Sequence, residues 1–421
     1  MSVLGFGDFL LPRKGVDLAK WSVVACDQYT SAPAYWEKLD ASVGSSPSAL
    51  RLICPEAFLA EADKRLPALN AAAEDYAQNF LETHRGGVLV KRSLAGGDRW
   101  GLVCLLDLEA YSYAAGNSAP VRATEGTVTE RIPPRLAVRR ASRLDVPHVL
   151  CLIDDARQTV IEPLASRSAA LDKLYDFELP GGGGRIEGWA VTDTAPVSAA
   201  LEVLRKQATN ENKPFVLVGD GNHSLASAKA LYEEYKAAGD SRAAKARYAL
   251  VEVENLRSDG VVFHPIHRIM YNAVGFADFI ARESTGETTH VMFVGGEKRE
   301  LRTLSSEIGT YRVVQALIDK YLGEHPEATV DYIHGDDDLR RLCAKRGAVG
   351  VMMPTVSKAE FFAYISANGT LPRKSFSMGE AYEKRYYLEC RDLGDAPPLR
   401  AITKSTMHNA ECTIADKTYI L

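Results

Sequence analysis

No two of the seven cysteines in this 421-residue chain form a Cys-x-x-Cys pair, which excludes a zinc ribbon and a thioredoxin-type redox motif. Their number is odd, and Cys104 and Cys151 lie in apolar runs, the usual setting of an inert buried thiol. No stretch approaches eighteen apolar residues, so no membrane span is expected. The N-terminus lacks the basic-then-apolar order of a secretory signal. Positive charge is in deficit, with 50 Lys and Arg against 55 Asp and Glu and a net charge of −5. Such a balance offers no footprint for sequence-independent nucleic-acid binding. The 32 Gly and 19 Pro follow no period, which excludes collagen-like and low-complexity chains. These absences leave a reduced, soluble, cytoplasmic protein as the expectation, with a small-molecule substrate and neither nucleic acid nor membrane as partner. A homodimer is compatible with all of this.

At 46% hydrophobic and 25% charged, the chain is ordinary for a globular protein and long enough for two or three domains. A helical pattern runs from about Ser48 to Glu82. VLVKRSL and RWGLVCLLDL follow as strands around Ala95-Gly96-Gly97-Asp98, a hairpin signal. Pro180 and Gly181–Gly184 read as a flexible loop or hinge. An amphipathic helix spans Thr194 to about Thr209, and RYALVEVENL and GVVFHPIHRIM are further strands. Past about residue 275 the pattern shifts, which suggests an N-terminal region 1–285 and a C-terminal region 286–421. Strands alternating with helices predict a mixed α/β (α+β) architecture, whose mixed sheets combine antiparallel hairpins with crossovers.

Chemistry concentrates in Phe215–Tyr235. An apolar strand, Phe215–Val218, enters Gly219-Asp220-Gly221-Asn222-His223-Ser224, and a helix begins at once. Leu225, Ala228, Leu231, Tyr232 and Tyr235 share one face of that helix, Asn222 or Ser224 can cap it, and Gly239 can end it. Two glycines allow close backbone approach, and the free N–H groups of a first helical turn attract anions. Asp220, Asn222, His223 and Ser224 add a metal ligand or base, an amide, an imidazole and a hydroxyl. A Walker A loop fails for want of Gly-Lys-Ser/Thr, and Ser224 stands at the third Gly of a dinucleotide fingerprint.

The same turn resembles the Asp-Gly-His-His-Arg turn of the family called domain of unknown function 1015. PHVLCLIDDARQTVIEPL, GVVFHPIHRIM, VDYIHG and LPRKSF stand in that family's order, preceded by RATEGTVTER. The family's turn is itself similar to the phosphate-binding Gly-Glu-Arg-Arg box of ParB-like nucleotide-binding proteins and free-serine kinases. The resemblance therefore implies a ParB-like core, a nucleotide (ATP or ADP) with Mg²⁺, and phosphoryl transfer to a small hydroxylated acceptor. Asn222 replaces the first His of that turn and Ser224 its Arg, which removes a bidentate phosphate contact.

Under this reading Gly219, Gly221, Asn222 and Ser224 cradle phosphate, Asp220 acts directly or through Mg²⁺, and His223 binds phosphate or shuttles a proton. Glu125, within the basic segment 121–146, takes the acceptor's proton, while Arg122, His267, Arg268 and Lys374 complete a cationic wall. His264 and His267 need not share a site, because on an extended segment residues 264 and 266 face one way and 265 and 267 the other, unless Pro265 bends the chain. Asp27, closing the apolar run Trp21–Ala25, is a second candidate base, and Cys26 beside it has no His near in sequence. Asp154-Asp155 reads as a turn more readily than as a cation site. Two other classes share these residues. One is a metal-assisted hydrolase using Asp220, His223 and His264 or His267. The other is a nucleotide-responsive switch without catalysis.

Overall fold

The computed structural model describes residues 2–394 apart from 115, 304–306 and 346. Cys412 lies outside the described residues. The architecture is mixed α/β, with two large sheets among the described residues. In the first, eleven-stranded sheet the central path runs Lys173–Glu178, Arg185–Val191, Leu81–Leu94, Gly97–Asp107, Tyr248–Asn255, Leu150–Ile153, Val216–Asp220, Val121–Ala123. Two hairpins and pairings between distant strands supply the antiparallel pairs; Tyr248–Asn255 with Leu150–Ile153, and Val216–Asp220 with Val121–Ala123, run parallel. The second sheet is built from Phe263–Tyr271, Thr288–Val294, Glu297–Thr303, Thr329–His334, Val349–Val351 and Phe376–Met378.

The chain passes from one sheet to the other between Asn255 and Phe263, earlier than the division expected at 285, and Tyr386–Tyr387 and Arg391–Asp392 return to pair with N-terminal strands. The shift in pattern marks the hairpin Thr288–Thr303, not the change of sheet. Among the described residues no helix is long and apolar enough to cross a membrane.

Residue pattern accounts for most elements. Ala95-Gly96 turns the hairpin between Leu94 and Gly97 as expected. The helix expected to reach Glu82 ends at Asn79, because Leu81–Leu94 is one long strand. Gly86 belongs to that strand with φ 113°, and a Cβ there would meet Val191 O at 2.2 Å. The Pro180–Gly184 segment is a pinned turn and no hinge: Arg92 Nε donates to Gly183 O at 2.8 Å and the Tyr386 hydroxyl to Pro180 O at 2.7 Å.

Helices Ala195–Asn210 and Asn222–Ala238 bury Leu201, Leu225 and Leu231 against one face of the first sheet. Its other face contributes Leu152 and Leu217 to the core of the second unit, with Phe263, Phe361 and Met378. Buried charge then ties the late segment 382–389 to the first sheet. Arg385 Nε meets Glu252 Oε2 at 3.0 Å, its Nη2 meets Glu389 Oε2 at 2.9 Å, and its Nη1 donates to Pro147 O at 2.7 Å. Arg92 donates to the carbonyls of Tyr382 (2.8 Å) and Lys384 (2.7 Å).

Removing one member of such a buried network leaves its partners charged and uncompensated, at a cost of roughly 3–5 kcal/mol. Arg385→Met is expected to lower the free energy of unfolding in urea by about that amount. A loss below about 1 kcal/mol would show that the network contributes little to this fold.

Candidate functional site

Strand Val216–Asp220 delivers the Asp220 carboxylate at its end, and Gly221 turns the chain with φ 79° and ψ 27°. Gly221, not Asn222 or Ser224, is the N-cap residue of the helix, and no side chain caps it. A left-handed cap of this kind suits glycine. A Cβ on Gly221 would also approach His148 O at 2.9 Å and Val149 Cα at 3.0 Å. The N–H groups of Asn222, His223 and Ser224 have no carbonyl within the helix, by helix geometry. Asp220, Asn222 and His223 are half-buried, so the corner is neither sealed nor fully exposed.

Three oxygens around this corner are buried without a hydrogen-bond partner: Asp220 Oδ2, Asn222 Oδ1 and Thr127 Oγ1. Buried polar atoms are usually satisfied, and an orphan costs about 1–3 kcal/mol. Lys384 Nζ lies 3.6 Å from Asp220 Oδ1, so one carboxylate oxygen faces a cation while the other is buried without a hydrogen bond.

His223 Nε2 accepts the Val128 N–H at 3.3 Å, which assigns the ring proton to Nδ1 in the neutral form. Burial pushes the imidazole pKa down to about 4, helped by Arg135, Arg131 and Lys374 and opposed by Asp27. The cations outweigh the single opposing carboxylate, so the surroundings of this ring favour an anion. At neutral pH His223 is a hydrogen-bond donor, and its engaged Nε2 makes it a poor proton shuttle.

Asp27 sits on the opposite wall. Its Oδ1 accepts from Gln28 Nε2 at 2.9 Å, and its Oδ2 is 3.8 Å from His148 Nε2. Burial raises its pKa, but His148, the Gln28 hydrogen bond and Lys384 together hold it below the ordinary aspartate value. His148 Nδ1 meets the Tyr387 hydroxyl at 2.6 Å, and that hydroxyl accepts the Cys26 N–H at 3.1 Å. Asp27, His148 and Tyr387 thus form a polar chain leading inward from the corner. The Cys26 thiol is raised by burial and by Asp27, which makes it no nucleophile.

The other expected residues fall in different places. Glu125 is clasped by backbone: its Oε2 accepts from Lys374 N at 3.1 Å and its Oε1 from Ser375 N at 3.0 Å. Burial raises its pKa, against those two bonds and the charges of Lys374 and Arg268. Both its oxygens are engaged, which suits a fastening between the sheets better than a base. Arg268 lies inside the second unit and supports the same loop, donating to Lys374 O at 2.7 Å beneath the rings of Tyr311 and Tyr332. Lys374 is exposed at φ 58°, and its charge reaches His223 and His334.

His267 is a core residue. Its Nδ1 accepts from Met353 N at 3.0 Å and its Nε2 meets Asp336 Oδ1 at 2.9 Å. Gly219 makes room for protein, since a Cβ there would meet Met378 Sδ at 2.5 Å. The Ser224 hydroxyl is taken by Arg139 Nη2 at 3.2 Å. Arg122 lines a separate cleft with Arg312 and Arg373. Asp155 caps its own turn through Thr159 and Val160, and Asp154 pairs with Arg257 at 2.6 Å.

Neither His148 nor Lys384 was singled out in the sequence, although a lone His opens the apolar run at Val149–Ile153. Among the described residues no group of three or more His, Cys, Asp or Glu can hold a metal ion. The oxygens of Asp220, Asn222 and Thr127 are hard donors of the kind Mg²⁺ accepts, with its remaining positions left to water and phosphate.

A family model described as protein of unknown function, DUF1015, matches residues 10–390. Among solved structures, SbnI with a C-terminal truncation from Staphylococcus aureus aligns at 11% identity and TM-score 0.36, covering 74% of this chain and 94% of that one. A free serine kinase in complex with AMP aligns at 11% identity and TM-score 0.36, with 68% and 90% covered. A conserved hypothetical protein from Pyrococcus furiosus aligns at 10% identity and TM-score 0.32, with 70% and 97% covered. Likenesses this slight transfer neither ligand nor activity. No curated protein matches the chain.

The environment of His223 yields a pH dependence. Its folded pKa near 4 lies below the ordinary 6.5, so between these values the unfolded chain holds the proton and the folded chain does not. Its contribution to stability is complete above pH 6.5 and is lost as pH falls to about 4. Nuclear magnetic resonance titration of the His223 ring should give a midpoint near 4. An unshifted midpoint would contradict this placement.

Proposed function

This chain belongs to the DUF1015 family of proteins of unknown function, and we propose that its Asp220 corner binds a nucleotide phosphate and transfers a phosphoryl group to a small hydroxylated metabolite. The observation that carries this reading is the pair of buried, partnerless oxygens, Asp220 Oδ2 and Asn222 Oδ1, at the start of a seventeen-residue helix. A phosphate accepts the N–H groups of Asn222, His223 and Ser224, and His223 Nδ1–H adds a donor. Mg²⁺, when bound by the Asp220, Asn222 and Thr127 oxygens, supplies charge neutralisation for the phosphate.

Phosphoryl transfer asks the protein mainly for position and charge. Asp27, rather than the clasped Glu125, takes the proton of the acceptor hydroxyl. The acceptor oxygen forms its bond to phosphorus as the bond to the leaving nucleotide phosphate breaks. Lys384 stands by Asp220 to balance charge on the leaving group. His148 and Tyr387 hold the Asp27 carboxylate in place. The hydrolase reading needs His264 or His267 beside Asp220; His267 is instead committed to Asp336 and Met353, and among the described residues Asp220 pairs with Lys384 and not with His264.

Incubation with ATP or ADP, Mg²⁺ and a panel of hydroxylated amino acids, followed by ³¹P spectroscopy, is expected to yield a phosphorylated acceptor. Asp27→Asn should lower kcat by roughly 10²–10⁴ while leaving nucleotide affinity unchanged. Asp220→Asn should weaken nucleotide binding about tenfold, the loss of one charge-assisted contact. If no nucleotide raises the melting temperature with or without Mg²⁺, the proposal fails.

A further inference from the structure

We infer that the cleft between the two units, distinct from the Asp220 corner, is a second binding site for a small metabolite carrying a carboxylate or phosphate group together with a hydrogen-bond donor. The cleft has a volume of about 890 Å³. Its floor is the short strand Val121–Ala123, one wall is a face of helix Glu307–Glu324, and its rim is the loop 366–373.

Strand register places Arg122 there. Its Cα pairs with Leu217, which in turn pairs with Leu152, and both leucines belong to the core of the second unit. Paired residues on adjacent strands share a face, so Arg122 points toward the second unit. The residue is only 9% exposed. Its Nε donates to Ala119 O at 2.8 Å, which leaves both Nη groups for the cleft the side chain lines. No carboxylate forms an ion pair with it among the described residues. Guanidinium groups this deeply placed are normally paired, because burying an unpaired charge is costly.

A second orphan stands on the wall. Gln315 is 8% exposed, its Nε2 donates to Asp319 Oδ1 at 2.9 Å, and its Oε1 is buried without a partner. Arg312 beside it is fastened to the carbonyls of Asn368 and Thr370, so its charge is fixed in place. With Arg373 on the rim, three arginines face the single carboxylate of Asp319. That set fits an oxyanion gripped in bidentate fashion by Arg122, whose attached hydroxyl or amine donates to Gln315 Oε1.

Calorimetric titration of the full chain with inorganic phosphate and with citrate tests the site. The Lys384→Ala background weakens the corner and should leave cleft binding intact. Saturable binding of at least one probe is expected there, and which probe binds tells a phosphate site from a carboxylate site. Arg122→Gln should weaken it at least tenfold. The exposed Arg373→Glu should weaken it several-fold without changing the melting temperature, so a folding failure of the first variant does not decide the matter. Absence of saturable binding, or equal affinity in both arginine variants, would overturn the inference. Binding lost in Lys384→Ala but kept in Arg122→Gln would place the anion at the corner, overturning this inference while sparing the proposed function.

Discussion

Two backbones meet closely where Gly221 runs in left-handed conformation beside the carbonyl of His148, with no room for a Cβ between them. This approach brings the end of strand Val216–Asp220 against the entry to strand Leu150–Ile153. It thereby sets Asp220 and the first turn of the following helix across from His148, Asp27 and Tyr387. A larger residue at 221 would push the helix away and separate the two walls. The half-buried character of the corner follows from the same contact, and so do the orphaned oxygens, which lie too deep for bulk water yet meet no protein donor.

Charge placement elsewhere serves that geometry. Lys384 is held near Asp220 by Arg92, which grips the carbonyls of Tyr382 and of Lys384 itself, and by Arg385, buried between Glu252 and Glu389. Glu125 performs a similar task from the other side, drawing the backbone of Lys374 and Ser375 onto the first sheet, with Arg268 behind the loop. Several residues of catalytic type are therefore structural fasteners. Asp220 and Asn222 instead keep a buried oxygen without a partner, and Arg122 keeps both Nη groups toward the cleft it lines.

Much of the fold could be read along the chain. The strand, turn and helix from Phe215 to Gly239 were legible because an apolar run, two glycines and a helical stripe occur in immediate succession. The hairpin around Ala95-Gly96 was legible for similar local reasons, and the family resemblance was carried by contiguous motifs. Convergence was not legible. His148, Tyr387 and Lys384 reach Asp220 through strand pairings between distant segments, and periodicity states which face a residue takes without stating what lies opposite. Arg122 and His267 illustrate the limit. Each is chemically apt, but register turns Arg122 toward the second unit, and His267 meets Asp336 at the start of the helix that follows its partner strand Thr329–His334. Side-chain capping preferences point to Asn222 or Ser224 and do not reveal the left-handed backbone that makes Gly221 the cap.

The corner's capacity to hold a phosphate and a divalent cation is the claim on which the functional reading stands. The most direct measurement is anomalous diffraction from crystals of the full chain grown with ADP and Mn²⁺ in place of Mg²⁺. A manganese peak is expected within coordination distance of Asp220 Oδ2 and Asn222 Oδ1, with phosphate oxygens against the N–H groups of residues 222–224. A nucleotide ordered elsewhere, or a protein donor found bonded to Asp220 Oδ2, would contradict it.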